Sequence, residues 1–266
     1  MANHESRGLV KLASVMERGS SARRGDTIVA VPERHVMKRL CVEESDSQAL
    51  LTEAARKLFK IRFADRDGCR RSASFLVQRR YAWRGYQIDA PTNVQPNRIT
   101  LSAYDGEATV ATISVGLDSP SGLFVDALYA PELHGLRRSG CHVCEFTKLA
   151  IDEAVKSKPV LAAIFHIAYI YARRIHGCSD LVVEVNPRHV KFYERMLGFQ
   201  TLGPVRMDPR VNAPATLLRL QLAYAEQQIS KFGGKGELAA AVRSLYPLFF
   251  SPREEQGIEM RLRAFG

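Results

Sequence analysis

The chain has 266 residues, of which 46% are hydrophobic and 8% aromatic, so it can bury a core within one or two domains. No uninterrupted apolar run reaches the roughly eighteen residues of a transmembrane helix, which makes a globular protein without a membrane span the default. The formal net charge of +10 implies a negatively charged partner, which is nucleic acid, an anionic membrane, a phosphorylated cofactor or an acidic protein.

The five cysteines form no regular framework, so reduced thiols in a cytoplasmic protein are expected. Cys141 and Cys144 suggest a metal site. Residues three apart on a strand point to opposite faces, however, and no second cysteine pair follows at zinc-site spacing, so no bound metal is predicted. The N-terminus has no apolar segment typical of a signal peptide.

The first part of the chain is predicted to be a flexible basic arm, residues 1–35, because its residues 18–26 are small, polar and basic. The folded part is expected to begin near Val36 with a strand over 36–42. A capping box at Ser45 and Gln48 then predicts a helix that runs to about Phe63.

The segment 66–97 interleaves arginines with aromatic residues. It is compatible with a substrate-gripping helix and loop, and also with a basic amphipathic surface. The runs 98–104 and 108–117 flank Asp105-Gly106, a dipeptide suited to a hairpin turn, and predict two antiparallel strands. A loop rich in Pro, Gly and Ser follows, and residues 141–150 are predicted to form the next strand.

Residues 159–176 predict a helix that is apolar on nearly all sides and ends at Gly177. Such a helix belongs against a sheet. Its N-terminus follows Lys156, Ser157 and Lys158, where free backbone N–H groups and positive charge suit a phosphate.

The stretch 180–199 predicts a strand, a tight turn and a short helix. The run Leu181–Val185 has the β-branched character of a strand buried on both faces. Asn186 and Pro187 are suited to start a helix, and Gly198 is suited to end it with a left-handed residue.

This stretch resembles the fifth-strand-to-fourth-helix segment of the Gcn5-related N-acyltransferase (GNAT) superfamily. The residues that carry the resemblance are Val183, Val185, Asn186-Pro187, Phe192-Tyr193 and Gly198-Phe199. The resemblance implies an α/β fold with a mixed sheet of six to seven strands, whose central pair splays to admit a thioester. One part of that pattern is missing. The glycine-rich loop that grips the pyrophosphate of coenzyme A is replaced by DEAVKSKP at 152–159.

Residues 144–150 (CEFTKLA) resemble a strand of the acyltransferases that take a fatty acyl chain from acyl carrier protein. These are the N-acyl amino acid synthases (FeeM-like) and, more distantly, the acyl-homoserine-lactone synthases. Residues 212–218 are similar to the former in particular. The carrier presents its thioester on an arm with one phosphate, so a pyrophosphate loop is dispensable.

The resemblance also implies roles for individual residues. Glu145 is the candidate base for the amine and Tyr193 the candidate acid for the leaving thiolate, although a strand-end glutamate and a core tyrosine are equally open interpretations. The remaining candidates are Leu149, Ile151, Lys156, Lys158 and Asn186 for the donor, and Thr147, Lys148, Arg137 and Arg138 for the substrate or the carrier protein.

The predicted domain plan is an arm at 1–35, an acyltransferase domain at 36–229, and a linker with C-terminal helices at 230–266 that pack on the core. Helices are expected over 237–250 and 252–264, after a glycine-rich break at 231–236. Their apolar residues need a surface to cover, which the core or an acyl tunnel would provide.

The predicted reaction moves a long acyl group from acyl carrier protein to the amine of an amino acid. No cofactor is expected to stay bound, and acyl-phosphopantetheine, on the carrier or as acyl-CoA, is the co-substrate. Peripheral membrane contact through the lipid product is a further expectation. The alternatives are an acetyl-CoA-dependent N-acetyltransferase and, on charge alone, a nucleic-acid-binding protein, for which no motif is present.

Overall fold

The computed structural model describes residues 27–32, 58–64, 67–82, 97–152, 155 and 157–265. The strand predicted at 36–42 lies outside these ranges, as does most of the helix predicted to start at Ser45. Lys156 also lies outside them.

One mixed sheet of nine strands organises the described chain, in the order β1-β2-β3-β4-β5-β6-β9-β7 with β8 paired to β9. The mixed sheet is confirmed, but the expected six to seven strands are too few. The strands are β1 (Val29–Pro32), β2 (Leu58–Phe63), β3 (Arg98–Asp105), β4 (Ala108–Leu117), β5 (Val143–Ile151), β6 (Asp180–Val185), β7 (Gln200–Thr201), β8 (Arg206–Asp208) and β9 (Ala213–Gln221).

The helices lie between and after these strands. They are α1 (Asp67–Ala82), α2 (Asp126–Arg138), α3 (Lys158–Tyr169), α4 (Val190–Leu197), α5 (Leu222–Phe232), α6 (Ala239–Val242) and α7 (Pro252–Phe265). A π-helical turn, Ile170–Ile175, continues α3. The predicted caps of α4 are confirmed: the Asn186 side chain accepts a hydrogen bond from the Arg188 N–H, and Gly198 ends α4 with a φ of 80°.

Several predicted elements are wrong. Strand β1 lies inside the predicted arm, so the folded part begins before Val36. Strand β2 occupies the end of the predicted helix. Phe59 and Ile61 are buried there and Lys60 between them is exposed, and this alternation is typical of a strand. Helix α2 forms where a loop was expected, with Pro131 inside it at a kink. The predicted helix 237–250 is broken into short turns around α6.

Strands β5 and β6 run parallel and pair only over three positions, Val143 with Asp180 through Glu145 with Val182. Beyond this point β5 continues along β4 to Ile151, while β6 continues along β9 to Val185. The two strands therefore part in the middle of the sheet, as predicted. We call this opening the fork.

Two buried clusters lie on opposite faces of the sheet. The larger one contains α3 with Tyr193 of α4 and the C-terminal residues up to Leu262. The smaller one contains Tyr129 and Leu133 of α2 together with Val182 and Leu217 of the sheet. The side chains that flank the fork therefore face either the α3 side or the α2 side.

The C-terminal segment is fastened to α3 by the fully buried His166. Its Nδ1 accepts a hydrogen bond from the Phe250 N–H at 3.0 Å, and its Nε2 lies 3.3 Å from Glu255 Oε2. The ring also stacks on Phe249 with centroids 4.7 Å apart. Burial lowers the pKa of His166, because the charged imidazolium would lose its hydration.

This contact predicts that acid weakens the protein through His166. A lowered folded pKa means that the unfolded chain binds the proton more readily, so the stabilisation is complete above about pH 6.5 and is lost as the pH falls below it. Urea unfolding between about pH 7 and 5 should show a smaller loss for His166→Gln, which cannot titrate, than for the wild type. Equal losses in both proteins would contradict this role.

Candidate active site

An ion pair crosses three strands on the α2 side of the fork. Arg98 of β3 and Glu145 of β5 both pair with Gly116 of the intervening β4. The Arg98 guanidinium reaches over Gly116 to Glu145, and a Cβ at Gly116 would lie 2.7 Å from it. Glycine is therefore required here to leave room for the buried pair.

Glu145 is 1% exposed, and both of its oxygens are engaged. Oε1 accepts hydrogen bonds from Arg98 and from the Phe124 N–H at 2.9 Å, and Oε2 accepts one from the Val125 N–H at 3.1 Å. The carboxylate thus holds the N-terminus of α2, where a negative charge is favoured. A carboxylate occupied in this way is poorly placed to take a proton from an amine. This geometry therefore does not favour the predicted role of Glu145 as the base.

A β-bulge lies next on β5. Ser114 pairs with Thr147 and Thr112 with Ala150, so Lys148 and Leu149 lie opposite the single residue Ile113. Lys148 has a φ of 53°, and its Nζ lies 5.9 Å from the centroid of the Phe124 ring. Thr147 accepts a hydrogen bond from Arg98 at 3.1 Å. Lys148 and Thr147 therefore lie beside the Arg98–Glu145 pair.

Glu184 of β6 faces the same side of the sheet. Val183 and Val185 belong to the core on the α3 side, so Glu184 between them points to the α2 side. Its Oε2 accepts a hydrogen bond from Arg210 at 2.6 Å, and its Oε1 is buried without a hydrogen-bond partner in the described structure. Burial raises the pKa of Glu184 to about 7, against the opposing effect of Arg210.

Phe124 connects these groups. Its ring lies 3.9 Å from Arg98 Cζ, and its carbonyl oxygen accepts a hydrogen bond from Arg210 at 2.8 Å. We use the name Phe124 cluster for Arg98, Phe124, Glu145, Lys148, Glu184 and Arg210. The sequence analysis found only Glu145 and Lys148 of this set.

Tyr193 lies on the other face of the sheet. Phe146, next to Glu145 on β5, packs on Phe165 of α3, and Phe165 packs in turn on Tyr193 with centroids 6.3 Å apart. Because neighbouring strand residues point to opposite faces, Glu145 and Tyr193 flank the fork from opposite sides. Burial raises the pKa of Tyr193, so the phenol stays protonated. The catalytic role of Tyr193 stays a prediction.

The predicted donor-binding residues lie toward the open end of the fork. Leu149 belongs to the bulge, Ile151 ends β5, and Asn186 follows β6. Lys158 is exposed at the start of α3, whose Ser157 cap accepts a hydrogen bond from the Val160 N–H. These positions are compatible with donor binding, and their roles stay predictions.

Arg137 and Arg138 lie at the closed end of the fork. Arg137 is ion-paired with Asp118 and Asp126, and the Asp118 N–H donates to the carbonyl of Val143, the first residue of β5. The two carboxylates hold the Arg137 guanidinium, and Arg138 is exposed on the last turn of α2. Neither arginine flanks the opening, so this geometry does not favour the predicted substrate contact.

Two further observations concern the described ranges alone. In them, no three His, Cys, Asp or Glu side chains converge in a group that could hold a metal ion. None of their helices is long and apolar enough to cross a membrane.

Comparisons with known proteins agree with this geometry. The structure of FeeM, an N-acyl amino acid synthase from uncultured soil microbes, is 30% identical and superposes with a TM-score of 0.59, covering 64% of this chain and 95% of its own. A putative N-acetyltransferase from Lactobacillus plantarum is 17% identical with a TM-score of 0.47, covering 62% and 98%. The homoserine-lactone synthase LasI is 14% identical with a TM-score of 0.46, covering 62% and 91%.

The last two likenesses are too weak to carry an argument, and no curated protein sequence matches the chain. A sequence model of the N-acyl amino acid synthase FeeM matches residues 72–221, more than half of the chain. This family match shows that the chain is an acyltransferase. The protein belongs to that family, which confirms the predicted family, fold class and enzyme class.

Proposed function

We propose that the protein moves a long fatty acyl chain from acyl carrier protein to the α-amine of an amino acid. The observation that carries the proposal is the fork, which parts β5 from β6 after three paired positions in a chain of the N-acyl amino acid synthase family. A thioester on a phosphopantetheine arm is long and narrow enough to enter such an opening. The amine then attacks it directly, without a covalent enzyme intermediate.

The donor is proposed to enter from the open end of the fork. Its phosphate docks at the N-terminus of α3, beside Ser157 and Lys158, where backbone N–H groups favour an anion. The thioester carbonyl oxygen accepts a hydrogen bond from the bulged backbone near Leu149. Tyr193, buried and protonated, supplies a proton to the leaving thiolate.

Helix α1 is the proposed docking surface for the carrier protein. Leu76 and Val77 pack on Ala150, near the outer end of β5, so α1 lies next to the open end of the fork. The same helix carries four arginines at its surface, namely Arg70, Arg71, Arg79 and Arg80. Arg79 is ion-paired with Asp152, and an acidic carrier would be attracted to the basic surroundings of this helix. The four described cysteines are free thiols, in keeping with a cytoplasmic reaction.

The acceptor is proposed to lie against the Phe124 cluster. Lys148 forms no ion pair with any carboxylate of the described chain, although its side chain is partly buried and its Nζ lies 5.9 Å from the centroid of the Phe124 ring. Burial and the nearby Arg98 lower its pKa, because both disfavour the charged ammonium group. A bound anion would stabilise that charged form. The carboxylate of an amino acid is such an anion.

Lys148→Met is therefore expected to raise the KM for the amino acid by about 10-fold or more, since one charged hydrogen bond contributes roughly 1.5–3 kcal/mol. The KM for the acyl donor should stay within about 2-fold. The matched control is the corresponding amine without a carboxylate, which should not distinguish the variant from the wild type. An equal effect of the substitution on both acceptors would contradict the assignment.

The function itself is tested by offering the purified protein three donors: acyl carrier protein with a long acyl chain, the matching acyl-CoA, and acetyl-CoA. Mass spectrometry should detect N-acyl amino acids with the first donor and at least 10-fold less product with acetyl-CoA. Turnover and tight binding with acetyl-CoA alone would favour an N-acetyltransferase. DNA binding with a steep salt dependence, and no acyl transfer from any donor, would favour a nucleic-acid-binding protein.

A further inference from the structure

Glu184 is the one carboxylate of the Phe124 cluster that keeps an unused oxygen. Glu145 has both oxygens in hydrogen bonds, whereas Glu184 offers Oε1, which is buried and has no hydrogen-bond partner among the described residues. Leaving a buried acceptor unsatisfied costs free energy. A ligand that donates a hydrogen bond at this point would remove that cost.

The position of Glu184 suits the attacking amine. It lies two residues past Val182, the last β6 residue paired with β5, and therefore borders the fork where the strands have parted. Its side chain is 16% exposed, so it lies at the edge of the opening and not in the closed core. Arg210 holds Oε2, which fixes the carboxylate and leaves Oε1 as the reactive oxygen.

We propose that Glu184 accepts the proton that the ammonium group of the acceptor must lose before it attacks. This inference rests on the acyl transfer proposed above and names the base for it, in place of Glu145. The proton passes from nitrogen to Glu184 Oε1. The free amine then forms the N–C bond and gives up a second proton, the C–S bond breaks, and the sulfur leaves with the electron pair and takes up one proton in turn. The net change is an amide and a thiol from an amine and a thioester.

The charges around Glu184 suit a base that works near neutral pH. Burial raises its pKa most, Arg210 lowers it, and Asp208 of β8 and Glu145 of β5 raise it further. Burial, and after it the charge of the nearby Glu184, raises the pKa of the Tyr129 phenol on α2. A base with a pKa near the working pH combines a sufficient ionised fraction with good proton affinity.

The test compares the pH dependence of kcat/KM in the wild type and in Glu184→Gln, with acyl carrier protein as donor. The wild-type rate should fall by about 10-fold per pH unit below about pH 7. The variant should lose about 10²–10⁴-fold at pH 7.5 and show no such acid limb. Asp208→Asn removes a neighbouring negative charge and should move the limb to lower pH, while the distant control Glu226→Gln should leave it in place.

A second measurement does not depend on turnover. Infrared difference spectra should show one carboxyl band that titrates near pH 7 in the wild type and is absent in Glu184→Gln. The inference is overturned if this band is missing, or if the active wild type and Glu184→Gln share one pH profile and differ only in KM. A wild type that shows the band but transfers no acyl group from any donor would instead overturn the proposed function.

Discussion

Replacing Arg98 with methionine is expected to lower the free energy of unfolding by about 3–5 kcal/mol, the usual loss when one partner of a buried ion pair is removed. Arg98 is 8% exposed and Glu145 1%. Without the guanidinium, a buried negative charge would keep only the two backbone N–H groups that start α2. Urea denaturation at pH 7 measures the loss, read from the midpoint at constant slope.

A double-mutant cycle provides the control. Glu145→Gln alone should also destabilise the protein, because it leaves the guanidinium unpaired over Gly116. The double variant should lose clearly less than the sum of the two single losses, since no isolated charge remains. Strictly additive losses would show that the two side chains do not interact and would contradict the geometry described here.

The second large effect is expected in α7. Ile258 is fully buried in the larger core cluster, so Ile258→Ala should cost about 2–5 kcal/mol through lost burial and the cavity it leaves. Met260 on the same helix is 68% exposed, so Met260→Ala should change stability by less than about 0.5 kcal/mol. The measurement is again urea unfolding of both variants.

The α7 experiment also asks what the C-terminal segment does. The match to the N-acyl amino acid synthase family ends at residue 221, yet α7 and the residues before it complete the core through His166, Phe249 and Ile258. If Ile258→Ala and Met260→Ala were equally mild, the segment would be an appendage that the core does not need.

The strand, turn and helix on the β6 side of the fork were predictable because local signals agree there, whereas the parting of β5 from β6 was implied by the family resemblance. The β-branched run of β6, the Asn186 cap and the left-handed Gly198 each favour the observed element without help from distant residues. The hairpin at Asp105-Gly106 is of the same kind, with Gly106 at a φ of 57°. Such short-range chemistry defines both the strand and the turn in which the proposed donor site lies.

The Phe124 cluster was not predictable in the same way. Its members come from β3, the turn before α2, β5, β6 and the residues after β8, and only the sheet register brings them together. One signal was available in Glu184, which lies between two valines of a strand that was predicted to be buried on both faces. A buried glutamate is unusual and needs a polar partner to stabilise it. Helix α2 was missed because Pro131 and the nearby glycines favour a loop.

The two ends of the sheet path bear on how the protein behaves at high concentration. Strand β1 has four residues and β7 only two. An outer strand of that length presents few backbone groups on which another molecule can add a strand. In the part of the chain that the structure describes, the two ends of the sheet therefore offer little template for intermolecular strand pairing, which should help concentrated samples stay dispersed during purification.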